Sequence, residues 1–127
     1  MRLLLDTHII LWLLDADPKL SNAAKELMLQ IPSHHISYSV VSLWEIGIKR
    51  GVGRLQWSPT AVGKAMSDSG ASRLQLADAH IERISTLPHH HRDPFDRMLI
   101  AQAECEPMRL LTSDSKLAVY GPLITLV

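Results

Sequence analysis

The sequence alternates short apolar runs with longer segments of helical periodicity. Leu3–Leu5 and the stretch "RLLT" ending at Thr112 predict buried strands, and an acidic residue comes at or just after the end of each. Strands buried on both faces are continuously apolar, which is typical of parallel sheets. The alternation therefore predicts an α/β fold, a three-layer sandwich in which helices flank a mainly parallel sheet.

Further strands are predicted at Ile36–Tyr38, at Arg73–Leu76 and in the final "LITLV". Helices are predicted between them, with boundaries set by caps and breakers. Ser58-Pro59 and Asp93-Pro94 place a capping residue before a proline at the first helical position, and Gly51 suits a helix C-cap. Helices are also expected after Asp6, from about Ser21 to Leu29, and in "ADAHIERIST".

Length and composition narrow the class of protein. The 127 residues, 46% of them hydrophobic, suit one domain spanning residues 1–127. The formal net charge is zero, so the chain is not basic overall as many nucleic-acid-binding domains are. If it binds nucleic acid, its basic residues must be clustered locally. A single cysteine excludes an internal disulfide, and no signal peptide or membrane span is recognisable. We expect a cytoplasmic protein.

Four acidic residues stand where a site can form. Asp6 and Asp114 follow predicted strands, and ligands bind beyond the carboxyl ends of parallel strands. Glu45 has apolar neighbours along its predicted helix. Asp96 lies in a helix too apolar to be a surface helix, so this acid needs a partner.

Each acid taken alone also has a structural explanation. Asp6 and Asp114 suit helix caps. Glu45 fits a capping box with Ser42 or an ion pair with Lys49. Asp96 fits the first turn of a helix.

Convergence of the four acids would require a cation. Clustered carboxylates repel one another unless a positive charge neutralises them. Oxygen ligands select hard ions, Mg²⁺ or Mn²⁺, which activate water and offset the charge of a phosphodiester. Metal-assisted phosphodiester hydrolysis is the reaction class that this pattern indicates.

Ordered motifs over nearly the whole chain resemble those of PIN-domain ribonucleases. They are "LLLDTH", "VSLWEIGIKRGVGRL", "HHHRDPFDRMLIAQAE" and "LLTSD". The last two, with "DADPKLS", are particularly similar to VapC-type toxins of bacterial toxin-antitoxin pairs.

The resemblance implies an acidic quartet that binds the metal and catalyses RNA cleavage. The quartet consists of Asp6, Glu45, Asp96 and Asp114, with Thr7, Thr112 and Asp93 in support; Asp96 fits the motif spacing better than Asp93. It also implies a PIN-like fold, Mg²⁺- or Mn²⁺-dependent endoribonuclease activity, a homodimer and a small cognate antitoxin. Lys49, Arg50 and Arg97 are candidates for RNA binding, although a solvated helix surface with ordinary ion pairs is the favoured interpretation.

The histidines and tryptophans have plainer interpretations. His89–His91 are expected in a solvated loop rather than at a zinc site, and His8 beside Asp6 at a helix start. Trp12 and Trp44 are expected in the core or a dimer interface, and Trp57 in an exposed position that could stack on bases.

Two other functions stay open. One is a phosphohydrolase with Asp6 as nucleophile, although the motif of such enzymes has a second aspartate where His8 stands. The other is a noncatalytic RNA- or protein-binding module that keeps the fold.

Overall fold

A computed structural model describes residues 1–127 and contains one five-stranded sheet. All neighbouring strands are parallel, so the sheet is entirely rather than mainly parallel. The strands are β1 (Leu3–Leu5), β2 (Ile36–Ser39), β3 (Ser72–Leu74), β4 (Arg109–Thr112) and β5 (Ile124–Leu126). The α/β prediction is confirmed.

Six α-helices connect the strands. They are α1 (Thr7–Leu14), α2 (Asn22–Leu29), α3 (Val40–Gly51), α4 (Pro59–Asp68), α5 (Asp78–Ile84) and α6 (Pro94–Cys105). Short 3-10 helices at Ser33–His35 and Ser115–Tyr120 precede β2 and β5. No helix has the length and apolar character needed to cross a membrane.

The strand order is β3-β2-β1-β4-β5. The chain runs outward from β1 to β3 and then returns to place β4 on the other side of β1, with Leu5 paired to Leu111. The carboxyl ends of β1 and β4 are therefore neighbours at the point where the strand order reverses. In open α/β sheets this is where ligands bind.

Two apolar clusters cover the two faces of the sheet. Successive strand residues point to opposite faces, so Leu3 and Leu5 join one cluster with residues of α1, α2 and α4, while Leu4 joins the other with residues of α6. All three leucines are fully buried. This produces the expected three layers and fixes the end of β1 rigidly.

Some local boundaries differ from the sequence predictions. The capping box of Ser42 with Glu45 is wrong, because α3 begins earlier and Ser39 caps it by accepting from the Val41 N–H at 3.0 Å. Gly51 is the last helical residue rather than the cap, and the left-handed turn follows at Gly53, with φ of +78°. β3 ends at Leu74, two residues earlier than predicted.

The tryptophans also differ from expectation. Trp44, expected in the core or a dimer interface, is not in the core: it is 62% exposed and packs edge-on against the Phe95 ring at 5.1 Å between centroids, and the dimer interface stays a prediction. Trp57, predicted to be exposed, is half-buried and donates from Nε1 to Asp15. Trp12 is half-buried against the His8 ring.

Candidate active site

Asp6 lies at the carboxyl end of β1 and is 2% exposed. Its Oδ1 accepts from the Thr7 N–H at 2.7 Å, and its Oδ2 accepts from Thr112 Oγ1 at 2.7 Å. His8 Nδ1 lies 3.5 Å from Oδ2, so His8 stands beside Asp6 as expected. Burial raises the pKa of Asp6, against the opposing effects of His8, Thr112 and Thr7. Asp6 thus caps α1 while its carboxylate remains in a constrained, buried position.

Glu45 projects from α3 and is 6% exposed. Lys49 Nζ lies 2.6 Å from Oε2, so the predicted ion pair along the helix is confirmed. The other oxygen, Oε1, is buried and has no hydrogen-bond partner. A buried carboxylate oxygen without a partner is rare in folded proteins and points to a bound group.

Asp96 occupies the first turn of α6, behind its N-cap Asp93. The Asp93 side chain accepts from the N–H groups of Phe95 and Asp96. Burial, then the charges of Asp6 and Asp93, raises the pKa of Asp96 to about 7, and a hydrogen bond with His91 opposes this. The carboxylates are therefore close enough to disfavour one another's ionisation.

Asp114 follows β4 and caps the 3-10 helix by accepting from the Lys116 N–H at 3.0 Å. Its own N–H donates to Thr112 Oγ1 at 3.1 Å, so this hydroxyl links Asp114 to Asp6. On the opposite side, Thr7 Oγ1 donates to Ser42 Oγ at 2.9 Å and ties α1 to α3.

The acids meet in two overlapping groups. Asp6, Glu45, Asp93 and Asp96 line a pocket of about 190 Å³, together with Thr7, His8, Leu11 and Lys49. Asp114 does not line this pocket. It lies with Asp96 and His91, whose ligand atoms are all within 4.8 Å of one another. Asp96 therefore belongs to both groups.

These donors suit a divalent cation. The quartet offers only carboxylate oxygens, which hard ions prefer, and Glu45 Oε1 is an unsatisfied acceptor at the pocket. A cation would also relieve the mutual repulsion that Asp6 and Asp96 experience.

A family model described as "PIN domain" matches residues 3–121. The chain belongs to the PIN-domain family. This match confirms the family resemblance inferred from the motifs. In this PIN domain Asp6 and Asp114 follow β1 and β4, which are neighbours in the sheet.

Solved structures agree on the fold. A toxin-antitoxin complex from Klebsiella pneumoniae superposes with a TM-score of 0.67 at 18% identity, covering 96% of this chain and 94% of that one. VapBC2 from Rickettsia felis, bound to a DNA fragment from its promoter, gives 0.68 at 17% identity, covering 100% and 98%. No curated protein matches the sequence significantly.

His91 is the site residue that sequence reasoning missed. The sequence predicts His91 in a solvated loop with His89 and His90, but its side chain is only 19% exposed and its Nε2 lies 2.8 Å from Asp96 Oδ2. The sequence did contain one signal for this contact, because an acid in a helix as apolar as α6 needs a partner, and His91 is that partner of Asp96. His89 and His90 are exposed, as expected.

Arg97 is not available to RNA. It is 7% exposed, and its guanidinium donates to the carbonyls of Leu87 and Pro88. Neither prediction for Arg97, RNA binding or a solvated helix surface, is correct, because its guanidinium points into the loop before α6. Lys49 is half-exposed beside Glu45, and Arg50 is exposed.

Proposed function

We propose that this PIN domain is a metal-dependent endoribonuclease, the toxin of a VapBC-type toxin-antitoxin pair. The observation that carries the proposal is the buried, unpartnered Glu45 Oε1 at a pocket shared with Asp6 and Asp96. The two structural neighbours support the biological role, since one is described as a toxin-antitoxin complex and the other as VapBC2.

In this proposal the acidic quartet holds Mg²⁺ or Mn²⁺. When bound, the ion lowers the pKa of a water molecule and offsets the charge that develops on the phosphodiester. The Thr112 hydroxyl and the Thr7 N–H hold the two oxygens of Asp6 in fixed directions. Fixed carboxylates reduce the reorganisation needed to reach the transition state.

Glu45 is our candidate for orienting the attacking water and accepting its proton. Glu45 lines the pocket and its Oε1 is buried without a partner, while Lys49 binds Oε2 and keeps the side chain in place. Lys49 and the exposed Arg50 lie near this end of α3 and supply positive charge for RNA phosphates.

The partners of this protein follow from the same proposal. RNA is the substrate, a small cognate antitoxin is the inhibitor, and a homodimer in the cytoplasm is the working form. The descriptions of the neighbouring complexes support the antitoxin. Co-purification with the product of an adjacent short reading frame would test it.

Cleavage of labelled single-stranded RNA by tag-free protein, with Mg²⁺, with Mn²⁺ or with chelator alone, tests the activity. We expect cleavage only with metal, and loss of at least about a hundredfold in Asp6→Asn and Asp96→Asn. Asp68→Asn changes an exposed acid far from the pocket and should retain full activity. Circular dichroism checks that each variant is folded.

Full activity in either site variant would refute the assignment of the quartet. RNA binding without metal-stimulated cleavage in the unmodified chain would favour the noncatalytic module instead.

A further inference from the structure

His91 brings an imidazole to the acidic site from outside the quartet. Its Nε2 lies 2.8 Å from Asp96 Oδ2, and Asp114 contributes a carboxylate oxygen within 4.8 Å of both atoms. Ligand atoms in adjacent positions of an octahedral ion are about 3 Å apart, given bonds of about 2.1 Å. The spacing of Nε2 and Oδ2 already matches this requirement.

The backbone of His91 is fixed by two buried or half-buried side chains. Its N–H donates to the Tyr120 hydroxyl at 3.1 Å, and its carbonyl accepts from Arg97 Nη1 at 3.5 Å. Tyr120 donates in turn to the carbonyl of Pro88, and Arg97 Nη1 donates to the same carbonyl. A buried guanidinium is thus used to hold this loop, which pre-organises the imidazole beside Asp96.

Asp96 belongs to two sets of donors. One set includes Asp6 and Glu45, whose Oε1 is buried and unsatisfied; the other includes His91 and Asp114.

His8 also lines the pocket of the first set, but its Nε2 accepts from the Ser113 N–H at 3.2 Å, so in the neutral ring the proton is on the Nδ1 that faces Asp6 and neither nitrogen is free to bind a metal. The free donor atoms of the first set are therefore oxygens, whereas the second set offers a nitrogen. The two sets differ in the ions that they favour.

We propose that His91 is a nitrogen ligand of the metal site, acting through Nε2 beside Asp96 and Asp114, and that it makes this site select Mn²⁺ over Mg²⁺. Imidazole suits transition-metal ions, while Mg²⁺ keeps to oxygen ligands and water. Mn²⁺ accepts both kinds of ligand. This inference rests on the proposed metal-dependent function, which assigns the quartet as ligands.

Pulsed electron paramagnetic resonance of Mn²⁺ bound to the tag-free protein tests the proposal directly, because a coordinated imidazole couples its ¹⁴N nucleus to the ion. We expect ¹⁴N coupling in the unmodified chain and its loss in His91→Gln, whose amide can keep the hydrogen bond to Asp96. His90→Gln alters the adjacent exposed imidazole and should keep the coupling. His8→Gln tests the other nearby histidine, whose Nδ1 faces Asp6.

Titration calorimetry with each metal provides the second readout. We expect His91→Gln to weaken Mn²⁺ binding by about tenfold or more and Mg²⁺ binding by less than about threefold. Absence of ¹⁴N coupling in the unmodified chain, or its loss in His8→Gln but not in His91→Gln, would overturn the proposal. Equal weakening of both metals would also overturn it, since His91 would then act only by positioning Asp96.

These outcomes are separate from those of the nuclease test. Coupling through His91 without RNA cleavage would leave this inference standing and remove the proposed function. Metal-dependent cleavage without coupling would do the reverse.

Discussion

Replacing Asp96 by asparagine should stabilise the metal-free protein while it removes a ligand of the proposed metal site. The folded chain raises the pKa of this carboxyl from 3.8 to about 7, chiefly by burial and then by the charges of Asp6 and Asp93. Above pH 7 the folded state must therefore hold a carboxylate in a place that disfavours its charge. Asparagine removes that charge and keeps nearly the same shape.

The size of this stabilisation follows from the thermodynamic linkage between proton binding and folding. A shift of about 3 pKa units corresponds to at most about 4 kcal/mol of lost folding free energy. The Asp96 side chain keeps 17% of its surface exposed at the pocket, and solvent screening there reduces this to about 1–2 kcal/mol. For a chain of this size the variant should melt about 4–8 °C higher at pH 8.

The sign of the pH dependence is fixed by the raised pKa of Asp96. Between about pH 4 and pH 7 the folded state holds a proton that the unfolded state has lost, so stability falls as the pH rises through this range. The advantage of Asp96→Asn should therefore shrink as the pH is lowered from 8 to 4. Added Mn²⁺ should reverse the order, because it stabilises only the chain that binds it.

Thermal unfolding in chelator, followed by circular dichroism across this pH range, measures these differences. Asp78→Asn is the matched control, since Asp78 is also a first-turn acid, of α5, but is exposed. It should lose about 0.3–1 kcal/mol of stability, the usual effect of removing an acid near a helix N-terminus. If Asp96→Asn melts no higher than the unmodified chain at pH 8 without metal, the inferred repulsion among the acids is wrong.

Three further predictions concern stability and are measured by urea unfolding. Leu4→Ala should lose about 2–5 kcal/mol because Leu4 is fully buried in β1, whereas Leu29→Ala, at 87% exposed, should lose under about 1 kcal/mol; equal losses would contradict the assigned core. Gly70→Ala should lower the free energy of unfolding by about 1–3 kcal/mol, since φ is +94° and an added Cβ would lie 2.5 Å from the Ser33 hydroxyl oxygen. Gly51→Ala is its control: an added Cβ there has no neighbour within 4 Å, and the variant should be more stable by up to about 1 kcal/mol. Arg97→Lys should lower the free energy of unfolding by about 1–3 kcal/mol and speed hydrogen exchange in the loop before α6, because an ammonium cannot reproduce the guanidinium contacts. Unchanged exchange would show that Arg97 does not hold this loop.

The layers of the fold were predictable because the sequence determines them locally. The buried strand at Leu3–Leu5 is continuously apolar, and Asp93-Pro94 marks the start of α6 within one residue. The positions of Asp6 and Asp114 at strand ends follow from the same signals. The position of β4 beside β1 could not be predicted, because pairing between strands about a hundred residues apart leaves no pattern in the local sequence.

The errors have specific physical causes. Trp44 lies between the buried Leu43 and Glu45, but each helical residue turns about 100° from the last, so apolar neighbours in sequence do not share a face. His91 lies in a loop whose path depends on Arg97 and on Tyr120, a residue 29 positions along the chain. Loops without periodicity are positioned by such distant contacts, which a single sequence does not reveal.

The insertion of β4 beside β1 has a consequence for synthesis of the protein. Asp6 is translated long before Thr112, whose hydroxyl holds its Oδ2 and which lies 106 positions later in the chain. A nascent or truncated polypeptide that stops before β4 lacks Thr112 and Asp114 alike. If the proposed activity is correct, such a fragment lacks two residues of the site, and RNA cleavage should begin only after β4 and Asp114 have been synthesised.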